Sequence, residues 1–230
     1  MHIEREVLVS VLKTTATGEA YIEDISKESR IPHRLVKKIL VEDSKIGIIQ
    51  IKGNSVVVNE EQRLKTALKA IELGADIERV CSFLSWKEFE DISIIAFEAN
   101  DYAVKKHFRF SEKGRKWEID ILGLKEPIII STDCKHWHHG WREAAAVKAV
   151  ESQVKRTKIL AEASSSLRDR INIAGWRHAY FVPLVLSLIP PAFKFYESTP
   201  VVPVLQLRNF LHELPAYLNE ITHYKKSFEF

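Results

Sequence analysis

The sequence predicts an α/β (α+β) protein: a mixed β-sheet flanked by helices, preceded by a small domain of three helices and a hairpin. Three observations predict it. Residues 1–60 set three stretches of helical apolar spacing ahead of two short β-branched runs. Residues 102–135 carry three successive strand patterns between two helical ones, and a further apolar strand pattern follows at 178–187. Helices bracketing a three-strand meander, then a helix and another strand, build a mixed sheet covered on both faces.

Bulk properties set the frame. The chain of 230 residues is 46% hydrophobic and 28% charged, a balance that supports a packed core and leaves room for two small domains. The opening residues MHIEREVLVS mix acids and bases among short apolar pieces, unlike a secretory leader. The longest apolar run, 179–193, is broken by Pro183 and the Pro190-Pro191 pair, and it falls short of the roughly 20 residues a membrane span needs. It reads as a buried strand, and no membrane partner is expected. Two cysteines, Cys81 and Cys134, cannot build a disulfide framework and suit a reducing cytoplasm. A net charge of +3 is too small to establish a polyanion partner, so the placement of charges decides.

In the N-terminal region, helical spacing covers 3–12 and 22–28, and Pro32 opens a third helix that runs to about residue 43. Residues 46–51 and 55–58 are strands joined by Lys52-Gly53-Asn54, a tight-hairpin sequence. This order resembles the winged-helix family of helix-turn-helix domains. The resemblance implies that the third helix enters the major groove of DNA, with His33, Arg34, Lys37 and Lys38 on its polar side. A solvated face or a protein-binding wing is the plainer alternative, and residues 1–82 hold 13 basic and 13 acidic residues, no basic excess. A connecting helix is expected over 61–84, its stripe formed by Leu64, Leu68 and Ile71, so the expected domains are 1–60 and 85–230.

From residue 85 the reading is helix 85–99, strands 102–110, 116–123 and 127–135, helix 143–163, strands 178–187 and 201–207, and helix 208–222. Ser164 to Ser166 and the segment around Pro190 read as loops.

The chemistry is concentrated on two of these strands. In KWEIDILG, Glu118 and Asp120 share one face, because side chains alternate along a strand. In PIIISTDCKHW the start is apolar on both faces, as in a central strand, while Asp133 and Lys135 stand two residues apart on the same side. Two carboxylates and an ammonium at the end of a buried strand are costly unless they satisfy one another or hold a cation. Mg²⁺ (or Mn²⁺) suits such a site, since it takes one or two protein carboxylates and keeps other positions for water and phosphate oxygens. A cross-strand salt bridge between Asp120 and Lys135 is the structural alternative.

Asp120 followed by Asp133-Cys134-Lys135 resembles the PD-(D/E)XK nuclease superfamily, whose Mrr-type restriction domains and archaeal Holliday-junction resolvases share the helix-strand-strand-strand-helix-strand order. The resemblance implies a restriction-endonuclease-like sheet, with Asp120 and Asp133 as metal ligands and Lys135 as the catalytic lysine. Ile119 stands where the superfamily often has proline. It also implies a glutamate on the first helix, for which Glu90 is the choice, as a further catalytic and metal-binding residue. Glu88 is already committed to the capping box Ser85-x-x-Glu88. Gln153, in the middle of the stripe Ala146, Ala149 or Val150, Thr157 and Leu160, takes the place of a glutamine that lies near the active site in Mrr-like nucleases; a structural hydrogen bond is the alternative.

Two neighbouring features bear on partners. Lys105, Lys106, Arg109, Lys113, Arg115 and Lys116 stand against the single acid Glu112, with Phe108 and Phe110 interleaved, a patch expected to attract phosphate beside the metal. A zinc reading of Cys134, His136, His138 and His139 lacks a second ligand pair at zinc-site spacing. The expected function is metal-dependent endodeoxyribonuclease, with DNA as partner and a homodimer as the natural way to cut two strands. The rivals are a catalytically inactive DNA-binding or regulatory protein on a nuclease scaffold, and a nuclease acting on RNA or branched DNA.

Overall fold

A computed structural model describes residues 3–135, 143–188, 191 and 193–228. The chain divides into two compact units, Met1–Phe89 and Glu90–Phe230.

The first unit opens with helix α1 (Ile3–Thr14), a two-residue strand β1 (Ala20–Tyr21), α2 (Ile22–Ser29) and α3 (His33–Lys45). The hairpin of β2 (Gln50–Lys52) and β3 (Ser55–Val57) turns through Gly53 at φ +62°, and the three strands lie in the antiparallel order β1-β3-β2. Three helices and a small three-stranded sheet, in this order, are what the sequence predicts for this unit, with β1 added. Its core gathers one face of each helix, with Val7, Val11, Ile25, Val36 and Leu40, under Ile49 and Val56.

The single connecting helix expected next is two helices, α4 (Glu60–Glu72) and α5 (Ile77–Cys81). Gly74, at φ +84°, ends α4: the Ala75 N–H reaches back to the Ala70 carbonyl, and Asp76 then caps α5 through the Arg79 N–H. The expected stripe is also corrected. Leu68 is exposed, and α4 instead buries Arg63, Thr66, Ala67 and Ala70. Arg63 is tolerated inside because its guanidinium donates to Leu12 O and Thr15 Oγ1, both at 2.9 Å, to Phe83 O at 2.7 Å, and to Glu88. Glu88 in turn closes the expected capping box, its Oε2 accepting the Ser85 N–H at 2.7 Å.

Helix α6 (Trp86–Glu98) carries the chain into the second unit. Strands β4 (Ala103–Glu112), β5 (Arg115–Lys125) and β6 (Ile128–Lys135) form an antiparallel meander. Helix α7 (Glu143–Leu167) follows, then β7 (His178–Ser187), parallel to β6. Beyond it lie β8 (Phe195–Tyr196), β9 (Thr199–Pro203), helix α8 (Leu207–Tyr217) and β10 (Tyr224–Ser227). The seven-stranded sheet has the order β4-β5-β6-β7-β9-β8, with β10 also pairing β7. It is mixed, as the sequence predicts, and β6 is buried along nearly its whole length, as a central strand should be.

Leu122 and Leu124 face the α7 side, in a core with Leu160, Ala161, Leu167 and Phe181. Gly123, between them, faces Phe97 of α6, so helices cover both faces. Three expectations are corrected. Ser164 to Ser166 are helical, because Ser164 and Ser166 hydrogen-bond the carbonyls three residues back rather than leaving the helix. The strand expected to 207 stops at Pro203 and passes through a 3₁₀ turn, Val204–Gln206. The last helix ends at Tyr217, two residues after Pro215, a residue that cannot donate to the helical ladder.

A Cβ on Gly123 would come within 2.5 Å of the Phe97 ring. Gly123→Ala is therefore expected to destabilise the protein by about 1–3 kcal/mol, read as a lower urea midpoint at unchanged slope.

Candidate active site

The site forms where the sheet opens. β5 and β6 pair from Lys125↔Ile128 to Ile121↔Thr132, and there the ladder stops. The next residues on the two strands are Asp120 and Asp133. On the other side of β5 the pairing passes from Lys106↔Ile121 to Phe108↔Ile119, leaving out His107, which sits at φ +46°. A left-handed φ on a residue other than glycine costs roughly 1–3 kcal/mol and persists only where the surroundings impose it. Asp120 is thus flanked by a break in each of its two ladders.

The side chains then converge from three elements. Asp120 Oδ2 accepts the Cys134 backbone N–H at 2.8 Å, bridging the gap between β5 and β6. Asp133, 4% exposed, holds Lys135 Nζ at 2.7 Å on Oδ2 and Arg156 Nη1 at 2.8 Å on Oδ1. Alternation along β6 puts Asp133 and Lys135 on one side, and α7 supplies Arg156 to the same side. The same Nη1 donates to Gln153 Oε1 at 2.9 Å, and the fully buried Gln153 donates Nε2 to the Ser131 carbonyl and, at 3.0 Å, to its hydroxyl. Gln153 therefore makes a structural hydrogen bond to the sheet and also aims a second cation at Asp133. Sequence reasoning missed Arg156. Its signal was its place three residues after Gln153, hence on the same helix face.

Burial pushes the Asp120 carboxyl above the ordinary carboxylate range, opposed by the Cys134 N–H and reinforced by the charge of Asp133; Lys135 and Arg156 pull it back down. Burial also drives the Cys134 thiol well up, with Asp120, Asp133 and Glu90 adding to the effect. Cys134, the one described residue of the zinc alternative, alternates to the side of β6 opposite Asp133 and Lys135. The histidines of that alternative, His136, His138 and His139, lie outside the described residues.

Glu90 stands at the edge of the group, close enough for its charge to act on Cys134 but bonded to neither aspartate nor Lys135 among the described residues. It approaches from α6, 3.7 Å from His107 Nε2, while His107 Nδ1 lies 3.3 Å from Glu118. Among the described residues no three His, Cys, Asp or Glu side chains gather closely enough to hold a metal by themselves. The donor set that does gather is Asp120 with Asp133. Asp120 uses one oxygen for the Cys134 N–H and has no cation bonded to it among the described residues. A half-buried carboxylate short of a counter-charge, beside a second, buried carboxylate, fits a hard divalent ion that completes its shell with water and phosphate oxygens.

The basic residues fall into two kinds. His33, Arg34, Lys37 and Lys38 are exposed on α3, and Arg34, Lys37 and Lys38 make no ion pair among the described residues. In the second unit most are engaged: Lys105 with the Arg170 carbonyl, Lys106 with Asp91, Arg109 with Glu118, Lys113 with Glu162, and Arg115 over the Trp117 ring. Lys116 has no ion pair among the described residues. The strands run on to a two-residue turn, Lys113-Gly114, with both φ positive. Lys113, Arg115 and Lys116 consequently stand at a hairpin tip about 16 Å along β5 from Asp120, not beside it as expected.

No family model matches the chain. An uncharacterized protein of Archaeoglobus fulgidus is 28% identical over 137 residues, 60% of this chain and 97% of that protein. Among solved structures the chain is similar to protein VC1899 from Vibrio cholerae, with a TM-score of 0.34, 12% identity, and coverage of 95% of this chain and 57% of that one. It is similar also to the restriction endonuclease FokI, with a TM-score of 0.37, 12% identity, and coverage of 93% and 44%. The chain thus spans about half the length of these two structures. Superpositions this loose say nothing about which residues do chemistry.

The raised Asp120 carboxyl has a pH signature. A carboxyl that binds its proton more tightly when folded loses stability as pH climbs through the interval between its ordinary and its raised value. Asp120→Asn is therefore expected to melt higher than the parent at neutral pH, with the gain shrinking toward zero below the ordinary carboxylate range. A gain that did not depend on pH would contradict this origin.

Proposed function

We propose that the protein is a divalent-cation-dependent endonuclease that hydrolyses phosphodiester bonds in DNA, with Asp120 and Asp133 holding Mg²⁺ or Mn²⁺ and Lys135 beside them. One observation carries the reading: two carboxylates and a lysine from adjacent strands meet where the β5-β6 ladder ends, one carboxylate almost fully buried and the other short of a counter-charge.

A bound ion would polarise the phosphodiester and make a nearby water more acidic. The rest falls to the chain. Asp120 is fixed by the Cys134 N–H and Asp133 by Arg156, so neither has to reorganise to present its oxygens. Lys135, about one-third exposed at the strand end, can turn its ammonium from Asp133 to a phosphate oxygen or to the attacking water. Glu90 is the further acid of the proposal, at the edge of the site and 3.7 Å from His107 Nε2. Gln153 acts through Arg156. The resemblance of Asp120 and Asp133-Cys134-Lys135 to the PD-(D/E)XK pattern supports the same assignment.

The α3 surface is the proposed DNA contact of the first unit, because its cations are not already neutralised by neighbours. A second reading, a DNA-binding protein without catalysis, is favoured by the two cations that already satisfy Asp133. Cutting assays separate the two.

Supercoiled plasmid incubated with the protein is expected to be nicked or linearised with Mg²⁺ or Mn²⁺ and left intact with EDTA. Asp133→Ala and Lys135→Ala should each lower the rate at least about 100-fold. Equal cutting by parent and variants would trace the activity to a contaminant. A four-way junction and a structured RNA in the same assay assign the substrate class. For the α3 surface, replacing Arg34, Lys37 and Lys38 together by alanine should weaken duplex binding and reduce the slope of log affinity against log salt by up to about 3, measured by fluorescence anisotropy.

A further inference from the structure

We propose that Arg156 is a resident counter-cation of the site, which a divalent ion entering between Asp120 and Asp133 has to work against, so that Arg156 sets how weakly the free protein holds its ion. The proposal rests on the reading of Asp120 and Asp133 as a metal site.

Two cations already stand at the opening of the sheet before any ion arrives, both bonded to Asp133. Lys135 and Arg156 also draw the Asp120 carboxyl down through their charge, against its burial. The two cations are not equivalent. Lys135 ends a strand on a flexible four-carbon stem and can leave Asp133 for solvent or phosphate. Arg156 is fixed: the nitrogen that holds Asp133 Oδ1 also holds Gln153 Oε1, and Gln153 is anchored to Ser131 in the sheet. Its side chain is 22% exposed, so its repulsion of an incoming cation is only partly screened by water. A phosphodiester adds negative charge beside both the ion and Arg156, so ion and nucleic acid should bind cooperatively, with Arg156 keeping the ion loosely held until the substrate is present.

The test is Mn²⁺ binding to the intact chain without nucleic acid, followed by calorimetry and by the paramagnetic resonance signal of the free ion. Arg156→Gln, which keeps a hydrogen-bonding side chain but removes the charge, is expected to bind Mn²⁺ about tenfold more tightly than the parent. Arg156→Lys should match the parent, and Asp133→Asn should lose binding. A gain of affinity is not what a damaged fold produces, and Arg156→Met serves as a second neutral variant if Arg156→Gln does not fold. Unchanged or weaker binding by the neutral variants, with the parent binding and Asp133→Asn not, overturns the role of Arg156 and leaves the metal site standing. Absence of Mn²⁺ binding by every variant and the parent removes the metal site itself, and this proposal with it.

Discussion

A carboxylate with almost none of its surface in water has to be neutralised where it sits, and much of the second unit is arranged around that requirement at Asp133. β6 is a central strand, covered on both faces, and its apolar run Ile128 to Ile130 drives it into the core. The acid arrives in the same buried strand because it follows directly in sequence. Lys135 answers it from two residues further on, and Arg156 from the helix packed against the strand. Removing one partner from such a group leaves an uncompensated buried charge, which costs about 3–5 kcal/mol, so the three residues hold their geometry together. The same rule explains Arg63 in the first unit, where a buried guanidinium is tolerated through two carbonyls, a hydroxyl and Glu88.

Around that group the sheet departs from regular pairing. The β5-β6 ladder ends one residue before Asp120 and Asp133, and the β4-β5 ladder skips His107. Backbone groups released from a ladder must find other partners, and the Cys134 N–H finds the Asp120 carboxylate. Local irregularity of this kind leaves the half-buried Asp120 outside both ladders, beside the buried Asp133. The distortion and the charge cluster occupy the same few residues, and that coincidence ties the fold to the proposed chemistry.

The sequence made legible what depends on period and burial. Alternation along β6 alone places Asp133 and Lys135 together, the apolar run marks a central strand, and Ser85-x-x-Glu88 closes the capping box it announces. Long helices and the three strands of the meander also follow from their patterns. What stayed hidden depends on contacts between distant segments. Strands of two to four residues, β1, β8 and β10, are too short to show a pattern and exist because a neighbour offers hydrogen bonds. Arg156 resembled any solvated helix charge until α7 was laid against β6. The basic run 105–116 looked like one patch, yet a two-residue turn stretches it along a hairpin, and neighbouring acids and carbonyls take up most of its charges. Glu90, chosen by resemblance, stands 3.7 Å from His107, whose left-handed backbone no local pattern predicts.

The central claim is that Asp120 and Asp133 share a divalent ion, and the most direct measurement is a crystal structure of the protein grown with Mn²⁺, using the anomalous signal of the metal. The account predicts one peak in the gap between β5 and β6, within about 2.2 Å of a carboxylate oxygen from each aspartate, with Lys135 turned away from Asp133. Full metal occupancy elsewhere, or no peak while Asp133 stays clamped between Lys135 and Arg156, would contradict it.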